Sequence, residues 1–151
     1  MVVVALVGAN GNFGHKLVPI LAAEESITEV RCLSRGSSTE SSANKVSHFK
    51  VDYSNPEELK KVLNGCDVLI NAMGTNLDHL KNKVALVDAA AEAGVTVYIP
   101  RSFASALTYL TCSEFGVDPH VDTEFVRHPM WDGKKEHDAY AESKGLKVIS
   151  I

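Results

Sequence analysis

The sequence predicts an α/β fold in which a doubly wound parallel sheet carries helices on both faces. Three observations lead there. Val2 to Val7 is an unbroken apolar, mostly β-branched run, the pattern of a strand buried on both faces of a parallel sheet. Gly8, Gly11 and Gly14 follow at once in G-x-x-G-x-x-G spacing and open an amphipathic segment from Phe13 to about Ala23. Beyond it, short β-branched runs and helical patterns alternate up to about residue 100, as parallel strands joined by right-handed crossovers require.

The opening strand, turn and helix suit a phosphate. Gly8 and Gly11 leave no Cβ in the way and admit positive φ, so backbone N–H groups can come close to an anion. Gly14, one turn on, lets the helix lie against the strand, and the unpaired N–H groups of its first turn meet a pyrophosphate. Asn10 and Asn12 add amide donors, and Phe13 and His15 flank the turn, His15 at an exposed helical position. A glycine triplet alone is a weak signal. Its place between a strand and a helix is the context that makes it a dinucleotide site of the Rossmann-like type.

A chain of 151 residues makes one domain, long enough to bury roughly two thirds of its unfolded surface. Its 45% apolar and 23% charged residues are ordinary for a globular protein. A formal charge of -4 with scattered Lys and Arg supplies no basic field, so nucleic acid is excluded as a partner. No apolar run reaches the roughly 20 residues that span a bilayer. The apolar start reads as a strand rather than a secretory signal, so no membrane partner and a cytoplasmic location are expected. Cys32, Cys66 and Cys112 are odd in number and far apart, which suits reduced, buried thiols rather than a disulfide or zinc site.

The second strand, Thr28 to Leu33, ends at Ser34-Arg35-Gly36, where such folds meet the adenosine ribose. No acid stands there to accept from a 2′-hydroxyl. Arg35 offers a permanently charged fork for a 2′-phosphate, with Ser34, Ser37 and Ser38 as hydroxyl donors, so NADP (NADPH) is expected over NAD. Residues 36–45 read as a polar loop over the ribose. The third strand, Val46 to Val51, ends at Asp52, which either accepts from an adenine amino group or caps its own turn. Asn55, Pro56, Glu57 and Glu58 start a helix to Leu63, stopped by Gly65.

Asp67 to Met73 is a fourth buried strand ending at Gly74, and the Asn71 to Gly74 backbone, Met73 and Gly74 included, is expected beside the cofactor's ribose and nicotinamide. A helix from about Asp78 to Ala93 and a strand from Thr96 to Ile99 follow. Residues 101–130 break the rhythm. A helix from Trp131 to Ser143 then leads to a sixth strand, Leu146 to Ile151.

On that last helix, Tyr140 and Lys144 have Y-x-x-x-K spacing, in which a tyrosine donates a proton and a lysine lowers its pKa. Direction argues against them. A helix feeding a parallel strand ends at the edge opposite the ligand crevice, and Lys144 sits immediately before the strand. Lys134 lies ten residues earlier, about 15 Å nearer the crevice at 1.5 Å per residue. Tyr140 is expected to be a packed helix residue. His48, His79, His120, His128 and His137 share no ligand spacing, so they read as solvated or structural and no metal site is expected.

With these residues placed, the chain resembles the NmrA-like and isoflavone-reductase-like branch of the atypical short-chain dehydrogenases. The likeness rests on GANGNFG at the turn, LSR after the second strand, VDYSNPEEL after the third, IP ending the fifth, SEFG with DP behind it, and AESKG closing the last helix. It implies residues 1–151 form one NAD(P)-binding domain, with NADPH passing hydride to a small aromatic, enone or carbonyl substrate. The alternative is a non-catalytic dinucleotide sensor acting through a protein partner, as NmrA binds dinucleotide without turning it over. The resemblance places the catalytic lysine at Lys134, with Lys135 adjacent, to polarise or protonate substrate or bind ribose, and Phe115 of SEFG along the nicotinamide.

Two departures from the family stand out. In the family IPSEFG is continuous, whereas residues 101–112 separate Pro100 from Ser113 here, either a real surface insertion or the translation of a retained intron or wrong splice junction. The second is length: family members carry a C-terminal substrate region that this chain is expected to lack, so turnover by the chain itself is in doubt, as are its fold stability and the cover over its crevice.

Overall fold

A computed structural model describes residues 1–36, 45–73, 78–100 and 129–149, the side chains of 78–81 and 129–135 lying outside that description. Within it six strands make one sheet: β1 Val2–Val7, β2 Ile27–Ser34, β3 Val46–Lys50, β4 Val68–Asn71, β5 Val97–Ile99 and β6 Lys147–Val148. Their spatial order is β3-β2-β1-β4-β5-β6 and every pairing is parallel. The chain runs outward from β1 to β3, then crosses back to β4. The order therefore reverses between β1 and β4, the point at which doubly wound sheets open a ligand crevice.

The helices are α1 Gly14–Ala23, α2 Pro56–Leu63, α3 Asp78–Glu92 and α4 Pro129–Ser143. Alternate residues of β1 face opposite layers, as strand periodicity demands. Val4 and Leu6 join Ile27, Val30, Cys32 and Ile70 in a core to which α1 adds Leu17, Val18 and Leu21. Ala5 and Val7 join Leu33, Leu69 and Tyr98 in the other core, which takes Leu59 and Leu63 from α2, Leu86 and Val87 from α3, and Ala141 from α4. Among the described residues, α1 thus covers one face and the other three helices cover the second.

The ends of the elements have local causes. Asn55 caps α2, its Oδ1 accepting from the Glu58 N–H at 3.3 Å, with Pro56 in the first turn as the sequence predicts. At the other end of α2, Arg31 donates through Nη1 to the carbonyls of Val62 (2.7 Å) and Asn64 (2.8 Å) and through Nη2 to Glu29 (3.1 Å). A guanidinium thus satisfies C-terminal carbonyls that no helical N–H can reach. The helix α4 begins at Pro129 rather than Trp131, since a proline's fixed φ suits the first turn.

β4 is shorter than the predicted Asp67 to Met73. Asp67 works as a clip instead, its Oδ2 accepting from the Val3 N–H at 2.8 Å and its carbonyl from the N–H groups of Thr96 and Val97 at 3.1 Å. Cys32 and Cys66 are buried and free, as expected, and burial raises the Cys32 thiol to about 11. Cys112 and the segment 101–112 lie outside the described residues.

Candidate cofactor site

The carboxyl ends of β1, β2 and β4 converge on the glycine turn. Gly8 has φ +80, and a Cβ there would stand 2.8 Å from the Ala72 carbonyl carbon and oxygen and 3.0 Å from the Met73 nitrogen. Its N–H donates to the Leu33 carbonyl at 3.3 Å, while Ala72 N–H donates to Val7 at 2.8 Å. The turn is thereby wedged between the ends of β2 and β4. Gly11 corrects one expectation, because it is not among the residues with positive φ. Its constraint is crowding: a Cβ would lie 3.2 Å from the Gly8 carbonyl oxygen, to which its own N–H donates at 2.9 Å.

Gly14 is the tightest of the three. A Cβ on it would collide with the Gly8 carbonyl oxygen and stand 2.8 Å from Ala9 Cα, so only glycine lets α1 start this close to β1. At that start, Phe13 occupies the N-cap without any side-chain cap, and the first turn holds no acid. The positive end of α1 is thus left without a side-chain anion, which suits an external one. Asn10, Gly11, Asn12 and Phe13 are exposed around it. His15 is exposed too, its Nδ1 3.0 Å from the Gly11 carbonyl oxygen.

At the end of β2, Ser34 is half-buried and Arg35 exposed. Behind them Tyr53 is buried, its hydroxyl donating to the Leu33 carbonyl at 3.3 Å, and burial raises its pKa while the Arg35 charge opposes that rise. The same carbonyl thus receives both Gly8 and Tyr53 and ties β3's end to the turn. Asp52 caps its own turn: Oδ1 accepts from the Ser54 hydroxyl (2.6 Å) and N–H (2.9 Å), bonds that hold its exposed carboxyl below the usual range. Of the two roles open to Asp52 in the sequence, this one is present in the fold.

The end of β4 holds a polar chain that sequence reasoning missed. Asn71 is a fully buried polar side chain, its Oδ1 accepting from the Met73 N–H at 3.1 Å and its Nδ2 donating to the Tyr98 oxygen at 3.0 Å. The Tyr98 hydroxyl, which accepts from Asn71, also lies 2.9 Å from His137 Nε2, with the two rings edge to face. Burial and the Lys83 charge lower His137 to about 4, so its imidazole is neutral and free to accept. The signal available in the sequence was a lone Asn in an apolar strand followed, one strand later, by a lone Tyr; a buried amide needs a partner.

Gly74 and Phe115 lie outside the described residues, as do Ser37 and Ser38; Lys134 falls within α4, three residues before His137, with its side chain outside the description. Tyr140 and Lys144 meet away from the crevice, as their position before β6 predicts. The Tyr140 hydroxyl donates to Asp88 Oδ1 at 2.7 Å and Lys144 Nζ lies 2.8 Å from the same oxygen, tying α4 to α3. A cavity of about 500 Å³ lined by Glu29, Arg31, Phe49, Glu58, Lys61 and Val62 shares no residue with the crevice edge. Among the described residues no group of His, Cys, Asp and Glu could hold a metal, and no helix is long and apolar enough to cross a membrane.

Residues 8–151 match a family described as NAD(P)H-binding. The chain belongs to that NAD(P)H-binding family. Among curated proteins the chain is similar to an oxidoreductase, aprR, of Aspergillus flavus, 35% identical over 143 residues that make up 93% of this chain and 43% of that protein. Another, the oxidoreductase swnN of Metarhizium robertsii, is 29% identical over 130 residues, 83% of this chain and 34% of the relative. The chain therefore spans less than half the length of these relatives. The same fold occurs in a Citrobacter triphenylmethane reductase complexed with NADP(H) (TM-score 0.71, 19% identity, 97% of this chain and 47% of that one). It also occurs in an NADPH-dependent quinone oxidoreductase from Escherichia coli complexed with NADPH (TM-score 0.72, 16% identity, 97% and 47%). The NmrA-like resemblance and the Rossmann-like sheet read from the motifs both hold, and the family settles cofactor chemistry at the level of NAD(P)H.

Proposed function

We propose that the chain is the cofactor-binding portion of an NADP-dependent reductase that passes hydride from NADPH to a small aromatic, enone or carbonyl substrate. One observation carries the reading: Gly8 and Gly14, where a Cβ would meet backbone at 2.8 Å or closer, set an uncapped helix start against the ends of β1 and β4, with Arg35 at the end of the neighbouring strand. The residues fit the cofactor. Gly8, Asn10, Gly11, Asn12, Phe13 and Gly14 would hold the pyrophosphate, Ser34 and Arg35 the 2′-phosphate, Asp52 the adenine edge, and Met73, Gly74 and Phe115 the nicotinamide half. Bound, the cofactor supplies hydride. Lys134 is the residue proposed to polarise or protonate the substrate.

The oxidoreductase relatives, and neighbours named for reducing a triphenylmethane dye and a quinone, support a conjugated acceptor as substrate. Calorimetric titration with NADPH and NADH, followed by NADPH oxidation against a panel of enones, quinones and aldehydes, tests the reading. NADPH is expected to bind at least tenfold more tightly than NADH, about 1.4 kcal/mol. Failure of both coenzymes to bind at millimolar concentration would overturn it. Tight binding with no turnover in a protein of the relatives' full length would favour the sensor acting through a protein partner.

A further inference from the structure

We infer that Tyr98 and His137 are positioning residues for the nicotinamide half of the cofactor site, acting through Asn71 on the Met73 peptide. The inference rests on the cofactor reading above and adds to it residues from β5 and α4 that stand behind the site rather than in it.

The connection is continuous. In the tautomer that carries its proton on Nδ1, His137 Nε2 accepts from the Tyr98 hydroxyl at 2.9 Å. That leaves a Tyr98 lone pair for Asn71 Nδ2 at 3.0 Å, which fixes the amide's orientation and turns Oδ1 toward the Met73 N–H at 3.1 Å. The Ala72–Met73 peptide so held is the surface against which Gly8 packs, with no room for a Cβ between them. Reversing the amide would set Oδ1 against the Tyr98 oxygen and present Nδ2 to the Met73 N–H, two donors face to face. The tautomer of one imidazole on α4 therefore sets the polarity of a chain ending in the backbone beside the turn.

Asn71 and Tyr98 are fully buried and His137 is half-buried, Tyr98 sharing a core with Leu69 and Ala141. Buried polar groups of this kind lose most when one partner is deleted, because the remaining ones keep their desolvation and lose their bonds. Tyr98→Phe keeps the ring and removes the hydroxyl, stranding Asn71 Nδ2. His137→Leu removes the acceptor, whereas His137→Gln retains one at similar reach.

The test separates the two halves of the cofactor. Adenosine 2′,5′-bisphosphate probes the adenosine half alone, and NADPH probes both. In the full chain, Tyr98→Phe and His137→Leu are each expected to weaken NADPH about three- to tenfold and to leave the bisphosphate within about twofold. The double variant is expected to be no weaker than either single one, and His137→Gln to restore NADPH affinity. In the wild-type chain, which needs no variant to fold, NADPH and not the bisphosphate is expected to move the ring ¹⁵N shifts of His137. Equal weakening of both ligands, no weakening of either, or His137 shifts indifferent to NADPH would overturn the inference. A wild-type chain that binds neither ligand would instead overturn the cofactor reading on which it rests.

Discussion

Replacing Gly8 by alanine separates two costs that a glycine turn conceals, and Gly65 supplies the control. Both glycines have φ near +80, so alanine at either incurs the left-handed backbone penalty of roughly 1–2 kcal/mol. A Cβ at Gly65 meets nothing within 4 Å, whereas at Gly8 it would stand 2.8 Å from the backbone of Ala72, which no side-chain rotation can relieve. Forced overpacking of this kind costs about 1–3 kcal/mol more. Gly8→Ala should therefore lose roughly 2–5 kcal/mol and Gly65→Ala about 1–2. For a chain of this length each kcal/mol lowers the melting midpoint by about 2–4 °C, which separates the two variants by roughly 2–12 °C. Thermal unfolding followed by circular dichroism, with urea titration to confirm an unchanged m-value, measures the gap. Equal midpoints for the two variants would show that the Gly8–Ala72 approach imposes no constraint, and the case for a turn wedged against β4 would fail.

Two further outcomes follow from the site and its supports. Arg35→Ala removes the proposed partner of a 2′-phosphate, so NADPH affinity should fall about tenfold to a hundredfold while NADH affinity stays level. Calorimetry checks the ratio, and an unchanged NADPH-to-NADH preference would remove Arg35 from the site. At Asp88, burial pushes the carboxyl up, but bonds from Lys144 and Tyr140 outweigh it and hold the pKa below its ordinary value. The stability so gained is present above the ordinary Asp range near 3.9 and is lost as pH falls through the lower folded value. Urea titrations between about pH 2 and 5 should show a steeper acid loss in the wild type than in Asp88→Asn, with a smaller difference in high salt because the pair is half exposed. Superimposable acid limbs would contradict this.

Much of this architecture was legible because its causes are local. The apolar run of β1, the Asn55-Pro56 start of α2 and the Gly8, Gly11, Gly14 spacing each act within a few residues, and each element formed where its pattern lay. The direction of α4 followed from connectivity, which is how Tyr140 and Lys144 could be assigned to the far end, where they now hold Asp88. What stayed hidden depends on register. Asn71, Tyr98 and His137 are separated by 27 and 39 residues and meet only because β4 lies beside β5 and α4 brings His137 to Tyr98. No periodicity in any one segment encodes that meeting. Gly11 illustrates the opposite limit: its residue type was informative, but whether glycine serves conformation or space is decided by the neighbouring carbonyl of Gly8.

The His137 contact carries a pH signature that tests the polar chain without any ligand. Burial first, then the Lys83 charge, lowers its imidazole from 6.5 to about 4 in the fold. The groups that face it are Tyr98 from β5, hydrogen-bonded to Nε2, and Lys83 from α3, while Asp138 on α4 acts on Tyr98. Below pH 6.5 the unfolded chain takes up a proton that the folded chain refuses, so stability falls as pH drops from 6.5 toward 4 and this contribution levels off beneath that. One proton limits the slope to about 1.4 kcal/mol per pH unit. To isolate this one group, the informative quantity is the stability of the wild type minus that of His137→Gln, whose amide can accept from Tyr98 without titrating. That difference should decline through pH 6.5 to 4 and be level above it. A difference curve flat across the window would mean that His137 charges as readily in the fold as in the unfolded chain, and Tyr98 would then have no neutral acceptor with which to hold Asn71 in place.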